Sequence, residues 1–244
     1  MDHSNDPSFE IERPRNTGKL YSFFINYKFA SGLKALKGPF PGRLILDLCC
    51  GSGMGSEIYA NRGMRVIGVD YSLDCIKRAR IRAERYRFSA NFLVSDGQQL
   101  PFKERSFDYV AVHDGLHHLR EPCKAVREMC RVAQRGILVI EPGKSLATSL
   151  AIRLGISLEY EGDDFVYRLN ECEVKQWLMG TTFGKLNMRR YAMYYPHKPN
   201  RLFRLFDSLF LFAVARAGFF VFNFILGKFG NKLQAVAFRP QPDG

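Results

Sequence analysis

The stretch Leu44-Ile45-Leu46-Asp47-Leu48-Cys49-Cys50-Gly51-Ser52-Gly53 decides how this chain folds. An apolar run too short for a helix breaks at once into a glycine-rich turn, as a buried strand does when it hands over to a helix. Glycine at such a turn lets the backbone approach a ligand with no Cβ in the way, beside the free N–H groups of the following helix. Asp47, at the strand end, is placed to meet a cationic amino group. Met54 and Gly55 follow the GxG, so the third glycine of a dinucleotide fingerprint is missing, as is the Gly-Lys-Ser/Thr ending of a P-loop.

Towards the C-terminus the pattern repeats. Strands are expected over 43–48, 65–69, 91–94, 107–112 and 136–140, with helices over 54–62, 73–87 and 121–134 between them. Such alternation implies a parallel sheet covered on both faces. Right-handed crossovers then bring every strand's C-terminal end to one edge, where ligands bind. Before the first strand, residues 19–37 carry aromatics at helical spacing and stop at Gly38-Pro39, and residues 1–18 read as a loose polar arm. After the fifth strand, a helix is expected over 171–180 and strands over 185–195 and 233–238, separated by one long apolar helix over 201–229. The expected fold class is a doubly wound, Rossmann-like α/β sheet of seven strands, with an N-terminal helix and a C-terminal apolar helical insertion. It divides into an arm and cap helix (1–38), a core (39–142), a segment after strand five (143–184) and the last two strands with their insertion (185–244).

Two more acids end strands. Asp70 closes Val66-Ile67-Gly68-Val69, about 20 residues after the glycine turn, where a carboxylate can accept hydrogen bonds from both hydroxyls of a ribose. Capping the next helix is the plainer role, and Ser72 could serve it equally well. Asp96 follows the third strand in Ser95-Asp96-Gly97, which also reads as an ordinary Asp-Gly turn.

Over residues 40–142 the chain resembles the class I S-adenosylmethionine-dependent methyltransferases, and within them the small-molecule group that includes quinone and sugar O-methyltransferases. The resemblance runs from the glycine turn through Ser106-Phe107-Asp108-Tyr109-Val110 to Arg131-Val132. It implies S-adenosylmethionine as cofactor, with Asp47, Cys49, Gly51, Gly53, Asp70, Tyr71, Asp96, Gly97 and His113 around it. In that family the acid after strand three meets the adenine amino group, and the next backbone N–H a ring nitrogen. Cys49 stands where the family usually has glycine. The cofactor assignment is expected to hold if the turn needs no positive φ there.

Strand four ends in His113-Asp114-Gly115-Leu116-His117-His118. Methyl transfer is an in-line displacement, so the protein aligns the nucleophile and removes its proton where necessary, for which histidine suits neutral pH. In similar sugar methyltransferases the first histidine of Leu-His-His is the proposed base, which by position is His117. His118 and Asp114 are further candidates, and Glu141, at the end of strand five, can accompany the base. The histidine pair also occurs in members where it only packs or caps. No metal site is expected.

Residues 202–229 hold nine phenylalanines, with Arg204, Ser208, Arg216 and Asn223, together with Arg201, confined to about a third of the circumference. In the resembling fold, strand six runs parallel to the first five and strand seven antiparallel. That places the apolar helix over the site mouth, with 143–170 and the aromatic N-terminal helix nearby. It can wall a pocket for an apolar acceptor, or lie in a membrane interface with its cations towards anionic headgroups. No stretch reads as the roughly 20 clean apolar residues of a membrane span.

The net charge of +12 fits nucleic acid, anionic membrane or acidic substrates alike. An Asn/Asp-Pro-Pro-Tyr/Phe segment after strand four, common where nucleobases are methylated, is missing, and the basic run 77–87 reads as a solvated helix face, so nucleic acid is disfavoured. The six cysteines form no CxxC pair and read as reduced thiols of a cytoplasmic protein, with peripheral membrane contact through the apolar helix. The expected activity is methyl transfer to an oxygen or nitrogen of an apolar, lipid-linked small molecule. An RNA or protein acceptor and a non-catalytic scaffold that binds S-adenosylmethionine are the alternatives. The oligomeric state is not legible.

Overall fold

Strand β1 (Leu44–Leu48) is the axis of the molecule, because its apolar residues are buried on both faces and pair on both sides. It runs parallel to β2 (Arg65–Asp70) on one side and β4 (Phe107–His113) on the other; β3 (Asn91–Val94) extends the sheet past β2, and β5 (Ala133–Pro142) past β4. Two last strands, β8 (Lys185–Tyr191) and β9 (Lys232–Phe238), complete the order β3-β2-β1-β4-β5-β9-β8. β9 is antiparallel to both its neighbours, so β8 points with the first five. In this computed structural model residues 7–153, 160–161, 164–165, 167–195 and 201–240 are described.

Helices cover both faces, as the alternation requires. Helices α2 (Lys19–Leu36) and α3 (Met54–Ala60) pack on one side through Phe29, Leu33, Leu36, Met54 and Tyr59. Helices α5 (Pro122–Val132) and α7 (Glu171–Leu178) pack on the other through Val126, Met129, Val174 and Leu178. Helix α4 (Leu73–Tyr86) is capped by Ser72, whose Oγ accepts from the Cys75 N–H at 3.3 Å. Helix α6 (Leu146–Arg153) and a hairpin of β6 (Tyr160–Glu161) and β7 (Asp164–Phe165) follow β5. The rest of the expected 143–170 mouth segment (154–159, 162–163 and 166) lies outside the described residues.

Four expectations need correction. Residues 7–18 of the arm are not loose: α1 (Pro7–Glu12) buries Ile11 and sits against α4, held by Arg82. Arg82 donates to Glu57 at 2.8 Å and to the carbonyls of Ile11 at 2.8 Å and Arg13 at 2.7 Å. One cation of the supposedly solvated run therefore turns inward, because a rigid arginine fork can satisfy several carbonyls together. Residues 1–6 of the arm lie outside the described residues. Secondly, strand eight stops at Tyr191, since Asn223 and Asn231 take the backbone groups of Ala192 and Met193 that a ladder would use.

Thirdly, the apolar helix is not continuous. A short α8 (Arg201–Arg204) and a single 3-10 turn end at Ser208, which adopts extended backbone and caps α9 (Leu209–Leu226) by accepting from the Leu211 N–H at 3.2 Å. Fourthly, residues 209–229 are long and apolar enough to cross a membrane by length and composition, with a mean hydropathy of 2.1 over an 18-residue window. Arg216 and Lys228, which break the run in the sequence, do not outweigh its phenylalanines.

Candidate functional site

The glycine turn after β1 is built on left-handed backbone at Cys49 (φ 53), Gly51 (φ 53) and Gly53 (φ 80). The question that the sequence left open at position 49 is thereby answered: the turn takes a positive φ there, with cysteine in place of glycine. A non-glycine residue in that region costs about 1–2 kcal/mol. The facing residue makes room for its side chain: a Cβ on Gly115 would lie 2.4 Å from the Cys49 Cβ.

Asp47 is buried beneath this turn and accepts from Ser56 Oγ at 2.6 Å. Burial pushes its carboxyl up to about 7, although the Ser56 bonds pull the other way. It therefore meets the first turn of α3. Asp70 faces the turn from β2: its Oδ2 accepts from the Gly51 N–H and its Oδ1 from the Ser72 N–H, each at 2.9 Å. Because Ser72 supplies the α4 cap, the Asp70 carboxylate is left to the glycine turn. Asp96 accepts from the Gln98 N–H at 2.8 Å, with Gly97 buried next to it and Tyr71 mostly exposed at 79%.

These groups share one place. The Cys49 thiol is pushed well above its ordinary value, first by burial and then by Asp70, Glu141, Asp47 and Asp96. Carboxylates from the ends of β1, β2, β3 and β5 thus act together on one residue. A Cβ on Gly51 would meet nothing within 4 Å, so there is open room beside them. An acidic rim with an open glycine turn suits a ligand carrying a cationic amino group, a sulfonium and ribose hydroxyls.

On the α5 side of the sheet, Glu141 is fully buried at the end of β5. Its Oε1 accepts from the N–H groups of Gly115 and Leu116 at 2.7 and 2.8 Å, and its Oε2 lies 2.7 Å from His117 Nδ1. One carboxylate thus holds both the turn after β4 and the imidazole of that turn. The rings of His117 and His118 are 4.0 Å apart. Both line a cavity of 470 Å³ with Tyr167 and Trp177.

His113 and Asp114 turn the other way, towards α2. The His113 ring lies 4.6 Å from Phe29, and its Nε2 is 3.2 Å from Asp114. Asp114 accepts from Lys28 Nζ at 2.8 Å and Lys232 Nζ at 3.1 Å. Burial would raise its carboxyl, but Lys232, Lys28 and His113 hold it well below the usual range. Asp114 is consequently a committed anion and ill suited as a base.

Sequence reasoning missed Lys28, Tyr195 and Lys232, together with Tyr167 and Trp177 across the cavity. A signal for Lys28 existed: it lies seven residues after Tyr21 and four after Phe24, on the buried stripe of α2.

A family model described as a methyltransferase domain, Methyltransf_11, matches residues 46–140. A demethylmenaquinone methyltransferase of Renibacterium salmoninarum is 39% identical over 99 residues, 41% of this chain and 40% of that protein. One of Paenarthrobacter aurescens is 39% identical over 95 residues, 39% of this chain and 36% of that protein. The chain thus spans about two fifths of the length of the curated relatives it matches. In fold it is similar to magnesium protoporphyrin IX methyltransferase from Synechocystis PCC 6803 with bound SAH, at a TM-score of 0.63 and 18% identity over 96% of this chain and 94% of that one.

Proposed function

The chain carries a class I S-adenosylmethionine-dependent methyltransferase domain, and on that premise we propose that it methylates a hydroxylated ring compound carried on an apolar, lipid-like tail. The reaction is placed at the ring oxygen or its ortho carbon, the two atoms over which a phenolate's charge is spread. The sequence suggested oxygen or nitrogen; the ring carbon enters because the relatives are named for a demethylmenaquinone, whose missing methyl belongs on the ring.

When bound, S-adenosylmethionine supplies a methyl carbon on a positive sulfur, which leaves with the bond's electron pair as the acceptor's pair replaces it. Asp70 is assigned to the ribose hydroxyls, Asp96 and the Gly97 N–H to the adenine edge, and Asp47 to the support of the turn that faces the amino group. His117 takes the proton shed by the hydroxyl or the methylated carbon. Glu141 accepts a hydrogen bond from the Nδ1–H, which leaves Nε2 as the basic nitrogen, and its charge stabilises the imidazolium that results.

The observation that carries this reading is the His117–Glu141 pair at 2.7 Å beside the 470 Å³ cavity lined by Tyr167 and Trp177. The apolar tail is supported by α9, whose outward side shows Phe210 76% and Phe224 92% exposed.

The test supplies the protein with S-adenosylmethionine labelled in the methyl group and a bacterial lipid extract containing reduced quinones. Label should move into the organic phase. His117→Ala should lower that rate by about 10²–10⁴-fold with cofactor affinity intact. Label recovered only in RNA or protein would overturn the acceptor class, and an unaffected His117→Ala rate would remove the base.

A further inference from the structure

At the sheet edge opposite the glycine turn lies a second cavity, of 310 Å³. A row of paired residues crosses the sheet there: Tyr109 on β4 beside Gly136 on β5, Gly136 beside Phe238 on β9, and Phe238 beside Lys185 on β8. Residues paired in this way present their side chains on one face. Gly136 presents none, so the end of α2 closes down on the row; a Cβ on Gly136 would lie 3.1 Å from Leu36 Cδ1. Leu36, Lys37 and Pro39 line the cavity from one side, and Tyr109, Phe238 and Lys185 line it from the sheet. Tyr109 comes four residues before His113, which puts the cavity about 13 Å along β4 from the reacting edge.

Charge is unmatched here. Lys37, Arg43, Arg135, Lys185 and Arg239 all line the cavity. Among the described residues, Asp108 is the one carboxylate in contact with any of them, and two share it: it accepts from Arg43 at 3.1 Å and from Arg135 at 2.9 Å. The exposed ammonium groups of Lys37 and Lys185 make no hydrogen bond or ion pair among the described residues. Arg239 donates to Thr182 and to the carbonyls of Cys130 and Ala133, at 2.9 and 3.1 Å, which anchors its charge without neutralising it. Glu104 and Arg105 act on Arg239 with opposite signs. The C-terminal end of α2 supplies about half a negative charge, so the five cations keep an excess of about three to four charges. Asp243, four residues after Arg239 in the chain, could lower that excess by one at most. Tyr109 adds a donor: it is 5% exposed, and its hydroxyl makes no hydrogen bond among the described residues.

We propose that this cavity is a second binding site, remote from methyl transfer, for a small organic phosphate. The phosphate group lies among Arg43, Arg135 and Lys185, where a planar guanidinium can give two parallel hydrogen bonds to its oxygens. The organic part rests on Leu36, Pro39 and Phe238. A phosphate dianion matches most of the charge excess, whereas a single carboxylate would leave most of it standing. The volume is at the lower end of the range for ligand sites, which suits a small molecule. A nucleic-acid strand needs a track of cations along its backbone, but these cations converge on one cavity. Nor does the site belong to the apolar face of α9. That helix packs on Phe24, and Lys37 is thirteen residues further along the same stretch of chain, about 20 Å by helical rise.

The test is calorimetric titration of the full chain with phenyl phosphate, in the presence of saturating S-adenosylhomocysteine so that the cofactor site is closed to the probe. One phenyl phosphate should bind per chain, about tenfold or more tighter than inorganic phosphate, because the ring adds apolar contact. Arg135→Met should weaken binding by about tenfold or more. Lys37→Met/Lys185→Met removes no contact that the fold uses, so it keeps the melting temperature and should still weaken binding by about tenfold; it decides the matter if Arg135→Met fails to fold. Lys124→Met, which removes an exposed lysine away from the cavity, should leave the affinity unchanged. No binding by the wild type, or binding that the double lysine variant retains, overturns the site. Binding lost in Trp177→Ala but kept in the lysine variant puts the probe in the cavity beside His117 and also overturns it. An equal loss in Lys124→Met reduces the effect to the net charge of the chain and does the same. Equal affinity for inorganic phosphate overturns the organic part of the ligand. None of these readouts depends on the methyl acceptor.

Discussion

Cys49 and Gly115 face each other across the site with 2.4 Å between one Cβ and the place where the other would be. Gly115→Ala should therefore force the glycine turn or the His117 turn to move, lowering the melting temperature and weakening S-adenosylhomocysteine binding at least tenfold. The next contact is a Val112 methyl at an ordinary 3.4 Å, so Cys49→Gly/Gly115→Ala should recover most of both losses. An unrescued double variant would mean that Gly115 is needed for its backbone instead. Asp47 gives a second prediction. Its folded-state carboxyl titrates near 7, above the ordinary 3.8, because burial disfavours the anion. Between those values the folded chain keeps a proton that the unfolded chain has lost. The Asp47 contribution therefore falls as pH rises from about 4 to 7, by at most about 1.4 kcal/mol per pH unit, and is flat above 7. Denaturant unfolding across that range should show this slope as the difference between wild type and Asp47→Asn; two parallel curves would disprove the shift.

At the scale of elements, the N-terminal arm hangs on Arg82. The guanidinium is 1% exposed, pairs with Glu57 and holds the carbonyls of Ile11 and Arg13, while Ser52 Oγ of the glycine turn donates to the Glu10 carbonyl at 2.9 Å. Arg82→Ala leaves Glu57 with Arg15 alone and frees two carbonyls, which should cost about 3–5 kcal/mol. Trypsin should then cut after Arg15 well before the core melts; an equally resistant arm would show that Ile11 and its neighbours suffice. The strand-and-turn alternation over 40–142 was legible because its signals are local: apolar runs ended by Gly or Asp, repeated at βα spacing. The pairing of His117 with Glu141 was legible because one lies in the turn after β4 and the other at the end of β5, and the fold brings strand ends to one edge. The inward turn of Arg82 was not, since its partners lie about 70 residues earlier in an arm that reads as polar. Nor was the pairing of Lys28 and Lys232 with Asp114, across 86 and 118 residues, which forms only once β9 has inserted beside β5. Ser208 misled for a different reason: flanked by apolar runs, it reads as one polar residue of a helical stripe, whereas its hydroxyl caps a new helix.

Across the whole molecule, the polarity of α9 is reversed from that of an ordinary surface helix. Asn223 bonds the backbone of Ala192, Phe219 is buried against α2, and Arg216 lies 5.8 Å over the Phe23 ring, so the sparse polar residues lie towards the domain. Leu209, Phe210, Val214, Val221, Phe224 and Ile225 face outward, all more than half exposed. Although long enough to cross a bilayer, α9 has both ends tied to one domain: Asp207, just before it, accepts from the Lys19 N–H at 2.7 Å, and β9 follows it directly, paired with β5 and β8. A crossing would put those ends on opposite sides. One way to shelter this face from water is to lay it into one leaflet, where each buried large side chain contributes about 1.5–3 kcal/mol and the chain's +12 charge favours anionic headgroups. The protein should accordingly co-sediment with vesicles containing phosphatidylglycerol more than with phosphatidylcholine alone, and the difference should shrink in high salt. Phe224→Asp/Ile225→Asp places two charges in the last turn of the outward face, at residues 92% and 62% exposed. It should weaken vesicle binding by more than tenfold while leaving S-adenosylhomocysteine affinity unchanged. Wild-type-like sedimentation of that variant would show that the face does not meet lipid. A vesicle-independent dimer that the same two substitutions dissociate would show that a second copy of the chain covers it.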